Sequence, residues 1–424
     1  MIQNLLLVSF LLLSILLIYI TKDIFSPPVL LSSLYFFVLL VFVIMKFLTK
    51  STYDMKPLSF YFLIGTIIFS ASFLLFNIKK SYLKETQFSF NYSMTNLLKA
   101  FIVVQGIVCV LFLLYSIYIT KLELNNEDTI LRQYFLTLNS FRFRLPYIFA
   151  LFRTISGIIL CILFSTRLNK QRNKKDDIWF LFQLCITLIF IIFSVGKHTI
   201  FILMIPMFFI YILLDKRKPF EKISLLFILG VCLLGLFVLL NMIRSNFTLS
   251  ILDNILYLRH YLCSGMIVFV EWVEQGFEHT NGIYTFRFPL VVLNKLFHTN
   301  FNTLWVCIDY IKNVNIDWDL GNVWSFYHGF AQDFGLWFGL FMSAFIGCIH
   351  GLLYNLTYKY KKLFFFVLYT QLMFPLLTQF FSENYFSHLS LYVQVIIILF
   401  LFTNTKLLYI NNNEVLSNDK SKSK

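Results

Sequence analysis

Charge is what this chain has least of. Only 13% of its 424 residues are charged, while 59% are hydrophobic and the mean hydropathy is +0.77. An ordinary soluble domain carries roughly a quarter charged residues, so that class is excluded. The chain also lacks short segments in which apolar and polar residues alternate, which excludes a membrane β-barrel. Its seven cysteines contain no CxxC pair and so no metal-ligand spacing. Cys109, Cys161, Cys185, Cys232 and Cys348 sit inside apolar runs as small hydrophobes. The N-terminus has neither a basic n-region nor an A-x-A cleavage site, so 2–20 reads as a retained span. Internal repeats are absent, and the one biased tract is the polar tail 411–424, which reads as disordered.

What remains is a succession of apolar runs of about 17–23 residues, the length that crosses a ~30 Å hydrocarbon core as helix. Backbone groups in lipid must be satisfied internally, and continuous apolar runs choose helices. The expected fold is an all-α polytopic integral membrane protein. Eleven spans are expected, near 2–20, 28–48, 58–78, 97–119, 147–164, 178–195, 199–214, 223–243, 335–356, 363–381 and 389–408. Pro27-Pro28 fixes a short turn before the second span. The amphipathic stretch 122–146 either lies in the interface or holds a twelfth crossing, so the count lies between ten and twelve.

The acidic complement is small: 21 Asp and Glu against 35 Lys and Arg, a net charge of +14. A nucleic-acid partner is not implied, because the basic residues cluster in short loops at span ends. These clusters are Arg167 to Lys175, Lys216 to Lys222, Lys359 to Lys362 and Lys406 to Lys424. They fall on one side if spans are counted from the fifth onward, and the positive-inside bias makes that side cytoplasmic. Attraction to anionic lipid headgroups adds to it. The C-terminus is then cytoplasmic, and 244–322, the turn Gly196-Lys197-His198 and the turn 382–388 face outward together. The first half fits less well. Eleven spans put the N-terminus outside, and with it Lys46, Lys50 and Lys56.

The chain therefore divides into an N-terminal bundle (1–243), a large outward loop (244–322), C-terminal spans (323–410) and the tail (411–424). The block from Ile243 to Trp324 holds Arg244, Arg259, His260, Arg287, His298 and four of the six tryptophans, Trp272, Trp305, Trp318 and Trp324. Ile255, Leu258, Leu262, Met266, Phe269 and Val273 recur at helical steps, which predicts an amphipathic helix. Glu271, Glu274 and Glu278 form a second stripe, expected as a solvated acidic edge. Cys263 and Cys307 share the loop and are candidates to pair if it faces an oxidising compartment.

The loop helix YLRHYLCSGMIVFVEWV runs into NGIYTFRFPLVVLNKL, and later comes GNVWSFYHGFAQDFGLWFGLFMSAFIGCIHGLLY. In that order the segments resemble the bacterial O-antigen polymerases of the Wzy type, the oligosaccharide repeat-unit polymerases. The topology resembles them over the whole length, the specific residues only from about Ser194 to Tyr354. The resemblance implies a metal-independent, helical fold related to the C-type glycosyltransferases, working without a cofactor in the bacterial cytoplasmic (inner) membrane. Such enzymes transfer a glycan from undecaprenyl pyrophosphate to the terminal sugar of another lipid-linked repeat unit. A flippase and a chain-length regulator are the partners implied. Lys197, in FSVGKHT, stands where many relatives have arginine; it offers phosphate a point charge without the bidentate fork.

This chemistry needs cations for the donor pyrophosphate, a general base for the attacking hydroxyl, and surfaces that place two sugars. The cation candidates are Lys197, Arg244, Arg259 and Arg287, each also readable as a snorkelling interface anchor. Arg153 joins them, because a charge inside a span usually lines a polar cavity. The candidate bases are His260, His328 and Asp333. A histidine titrates near neutrality, and His260 beside Arg259 is slightly preferred. Asp333 opens a helix and has an ordinary capping role as its alternative. Tyr284, Phe286, Tyr327 and the loop tryptophans could stack on sugars; an interfacial belt is the expectation for Trp324 and Trp337, and both readings stay open for Trp272, Trp305 and Trp318. Two rivals stay open: an O-antigen ligase, differing only in acceptor, and a lipid-linked oligosaccharide flippase or other transporter.

Overall fold

The computed structural model describes residues 1–49, 53–76, 88, 94–122, 147–168, 176–193, 197–215, six positions between 221 and 235, 251–301 and 324–403. Side chains at 49, 116–117, 119–122, 147, 192–193, 197–199 and 251–261 lie outside that description. Among the described residues every regular element is helical. In chain order they are α1 (Ile2–Thr21), α2 (Pro27–Thr49), a short 3-10 turn (Pro57–Ser59), α3 (Phe60–Leu74), α4 (Asn96–Leu122), α5 (Tyr147–Leu168), α6 (Asp176–Phe193) and α7 (Lys197–Leu214). There follow α8 (Ile251–Gln275), α9 (Arg287–Phe297), α10 (Tyr327–Phe334), α11 (Leu336–Tyr360), α12 (Leu363–Gln371), α13 (Met373–Leu377) and α14 (Leu389–Thr403). Among the described residues, six helices are long and apolar enough to cross a membrane: α1, α2, α3 with its 3-10 entry, α4, α5 and α11. The chain is a polytopic helical membrane protein. The expected eighth span, 223–243, lies largely outside the described residues.

The chain forms two compact units that do not follow chain order. The first comprises Met1–Thr86, Asp215–Lys359 and Gln371–Ser390; the second comprises Gln87–Leu214, Tyr360–Thr370 and Leu391–Lys424. In the second, α4, α5 and α6 pack through Phe112 against Phe149 and Phe190. A small polar core closes among them: Gln183 Nε2 donates to Ser156 Oγ at 2.8 Å, and the Ser156 and Thr187 hydroxyls meet at 2.6 Å. Arg153 lies on α5 one turn before that core, half-buried.

In the first unit, α3 and α11 run parallel and almost touch. Ser343 Oγ donates to the Gly65 carbonyl at 2.8 Å, and a Cβ on Gly347 would fall on the Phe69 carbonyl oxygen. Gly347 and Gly351 make a small-xxx-small surface, which suits association in lipid because backbones can then approach closely. The stacking of Phe10 on Tyr35 and the Ser14–Ser32 hydroxyl contact set α1 antiparallel to α2.

These contacts sort the helix ends into two groups. At one end, Asp54 takes hydrogen bonds from Gln3 and Lys46, while Lys56 bridges Glu271 and Glu274 at 2.7 Å each. At the other, Tyr354 donates to Asp23 at 2.5 Å, and Lys222 lies within electrostatic reach of the same carboxylate. The awkward lysines of the N-terminal half, Lys46 and Lys56, therefore sit at the Asp54 end beside three acidic partners. Lys50, the third lysine of that group, lies outside the described residues.

Two local expectations change. The acidic edge of the loop helix α8 is split: Glu274 and Glu278 are exposed, as expected, but Glu271 is buried within the helix's packed centre. Every residue from Cys263 to Glu271 is buried, and the Cys263 thiol reaches the carbonyl of Val38, the middle residue of α2. The amphipathic count missed this because a helix buried all round obeys no stripe. Glu271 is only 7% exposed and accepts from Tyr53 as well as Lys56. Cys307, the candidate partner of Cys263, lies outside the described residues. The run expected as one span over 363–381 breaks at Leu372 and ends at Leu377.

Candidate functional site

Where that run ends, 378–386 is non-helical and mostly buried; the turn expected over 382–388 overlaps it and is non-helical too. Its backbone is satisfied by the segment before α10: Trp324 N–H donates to the Phe381 carbonyl at 3.0 Å and Phe326 N–H to the Gln379 carbonyl at 2.8 Å. Non-helical backbone in a membrane bundle survives only where protein or a water-filled cavity satisfies it. Polar side chains collect here. The Tyr385 hydroxyl meets His350 Nε2 at 2.8 Å and accepts from Gln379 at 3.4 Å. Asn384 donates to Thr378 at 2.7 Å. Glu383 takes the N–H groups of Tyr385, Phe386 and Ser387 at 2.7, 2.8 and 2.9 Å, closing the turn on itself. Glu383 and Tyr385 lie in the expected turn 382–388, but no sequence signal pointed to His350 or Gln379, which look like scattered polar residues in apolar runs.

The DFG segment organises the other half. Asp333 is 1% exposed, and its carboxylate accepts from Thr280 Oγ1 at 2.5 Å, Thr285 Oγ1 and N at 2.7 Å each, and Tyr284 N at 3.3 Å. Phe334 rests on Phe286 and Phe338. Gly335, with φ 87°, adopts a left-handed backbone that ends α10 and lets α11 begin. Asp333 thus pins the GIYTF turn to the mouth of α11. Its acceptor directions are filled by four donors, so the carboxylate holds this turn in place.

His328, six places after Asn322, is 4% exposed and lies between two indoles: Trp324 at 3.7 Å and Trp272 at 4.0 Å between ring centres. Phe277 stacks on the far face of Trp272. Burial holds the pKa of His328 well below its ordinary value, opposed by the Gln332 side chain, so the ring is neutral near pH 7. His328 and Asp333 share α10 but face different partners and do not converge. His328 Nδ1, Trp324 Nε1 and Ser325 Oγ are buried without a hydrogen-bond partner. Three orphaned polar atoms in five residues call for an explanation, and a bound hydroxylated group or water supplies one. Together they offer a donor, a donor–acceptor and a neutral imidazole nitrogen.

The other expected site residues are placed unevenly. Arg287 opens α9 directly after the Asp333-held turn, and burial draws its pKa down from the ordinary value while it stays cationic. Arg153 belongs to the second unit. Lys197 opens α7, and Arg259 and His260 lie on α8, with side chains outside the description. Arg244, Trp305 and Trp318 lie outside the described residues. Tyr327 is core, wedged against Tyr61, Phe62 and Gly65, whereas Trp337 is 84% exposed, as a belt residue would be. Trp324, half-buried, packs on His328. No protein-family model, curated protein or solved structure matches the chain.

Proposed function

We propose that this protein is a Wzy-type polymerase that joins undecaprenyl-pyrophosphate-linked repeat units into O-antigen or capsular-type polysaccharide. One observation carries the reading. The segments that resemble the family, far apart in sequence, meet around Asp333 and His328: the α8 segment through Trp272, GIYTF through Thr285, and the DFG segment itself. The Asp54 end faces outward and the Asp23 end, with Lys22, Lys222 and Lys359, faces the cytoplasm. The whole chain makes eleven crossings with a C-type glycosyltransferase architecture, and its tail is cytoplasmic.

In this reading the orphaned atoms around His328 hold hydroxyls of a sugar, beside the exposed edges of Trp272 and Trp324. His260 or His328 takes the proton from the attacking hydroxyl; in the cage, His328 is neutral and so able to accept one. Asp333 positions the turn that carries Arg287. Arg287 with Arg244 and Arg259 supplies the cations for the leaving pyrophosphate, and Lys197 and Arg153, both in the second unit, are the further candidates by sequence. Substrates are a lipid-linked donor and acceptor, with a flippase and a chain-length regulator as partners. The test is deletion of the gene in its host, followed by analysis of surface glycan. Single repeat units in place of long chains are expected. Loss of all surface glycan, single units included, would overturn the polymerase reading in favour of a ligase or flippase.

A further inference from the structure

The helix α9 presents a face that is exposed among the described residues. None of its residues is buried. Leu296 and Phe297 are each 67% exposed, and Phe286, Leu293 and Phe301 are also exposed. At helical spacing Phe286, Pro289, Leu290, Leu293, Leu296 and Phe297 fall within an arc of about 120°. Arg287, Asn294 and His298 fall on a separate face, and Lys295 on its flank. The end is built as well. Asn294 accepts from Phe301 N–H and Thr299 Oγ1 at 2.9 Å each and donates to the Phe301 carbonyl at 2.8 Å, folding the chain back after His298. Such a helix is about 16 Å long and cannot span a ~30 Å core.

The neighbouring surface identifies what covers it. Along α11, Phe334 (just before its start), Trp337, Phe341, Phe345 and Leu352 are all exposed at three-, four- and seven-residue steps. This is the lipid-facing stripe of a spanning helix. Phe286, at the start of the α9 face, contacts Phe334, at the start of that stripe, with ring centres 6.2 Å apart. The two apolar surfaces are therefore continuous. We propose that α9 lies in the membrane–water interface at the Asp54 end of α11, its apolar face among the acyl chains and Arg287 and Lys295 at phospholipid headgroup depth. An amphipathic helix with basic residues beside its apolar face binds a bilayer surface in this way. The anchor places the Asp333-held turn at the depth of lipid phosphates, whatever chemistry occurs there.

The test uses the full chain, free of native cysteine, in nanodiscs of phosphatidylcholine and phosphatidylglycerol. Single cysteines replace Leu293, Leu296, Phe297 or Lys295 and carry an environment-sensitive fluorophore. Emission at 293, 296 and 297 should be blue-shifted, quenched by lipids with nitroxide acyl chains and unaffected by aqueous iodide. Emission at 295 should respond to iodide. Iodide quenching at 296 and 297 would overturn the proposal, as would protection from both quenchers together with cross-linking between differently tagged copies, which would assign the face to a second copy of the chain.

Discussion

Replacing Asp333 separates a positioning role from a catalytic one. In Asp333→Ala, four donors lose their acceptor, and two of them are backbone N–H groups of the 284–285 turn. Charge-assisted hydrogen bonds contribute about 1.5–3 kcal/mol each and do not add fully, so the turn should lose about 4 kcal/mol of local stability. That corresponds to roughly a thousandfold faster hydrogen exchange at Tyr284 and Thr285. Asp333→Asn is milder. Its remaining oxygen can keep both Thr285 bonds, and the Thr280 hydroxyl can turn to accept from the new amide. A loss of about 1–2 kcal/mol and roughly tenfold faster exchange follows. Hydrogen-exchange mass spectrometry on the peptide spanning 277–287 reads the turn, and the glycan chain-length profile reads activity. The two should move together, with Asn retaining much of both. An Asn protein with native exchange over the turn and no chain extension would refute the argument, because Asp333 would then be transferring a proton.

Acidification should destabilise the protein through His328. Burial depresses its folded pKa, so the unfolded chain takes up the proton first as pH falls below about 6.5, and stability is lost from there downward by up to about 1.36 kcal/mol per pH unit. Thermal melting between pH 4.5 and 8 should be flatter for His328→Gln than for the parent; equal slopes would show that the ring is not shielded. Gly347→Val should abolish a monodisperse membrane extract, because its Cβ would meet the Phe69 carbonyl oxygen and overpacking costs about 1–3 kcal/mol or more. Gly157→Ala, whose Cβ meets only Leu203 Cδ1 at 3.5 Å, should extract normally. Native behaviour of the valine protein would mean that α3 and α11 do not approach as described.

The class of this protein was legible because hydrophobic length is a local property. Each of the runs that became α1 to α5 and α11 carries its own apolar signal, and a bilayer needs nothing more to select a helix. The segments around Asp333 and His328 were also visible, since tryptophan, arginine and histidine stand out against so apolar a background. Their roles were not visible. That Asp333 holds Thr280 and Thr285, that Lys56 neutralises Glu271, and that His328 sits between Trp272 and Trp324 depend on residues distant in the chain meeting in space. The centre of α8 appeared amphipathic and is buried all round, because periodicity reports one partner and this helix has several. The buried turn after Leu377 left the least trace. Its polar atoms are acceptable in the interior only because His350, Gln379 and the backbone of Trp324 and Phe326 satisfy one another there. Sequence alone set which segments enter the membrane; tertiary structure decided which polar groups go in with them, because a buried polar atom is stable only beside a partner that the chain brings from elsewhere.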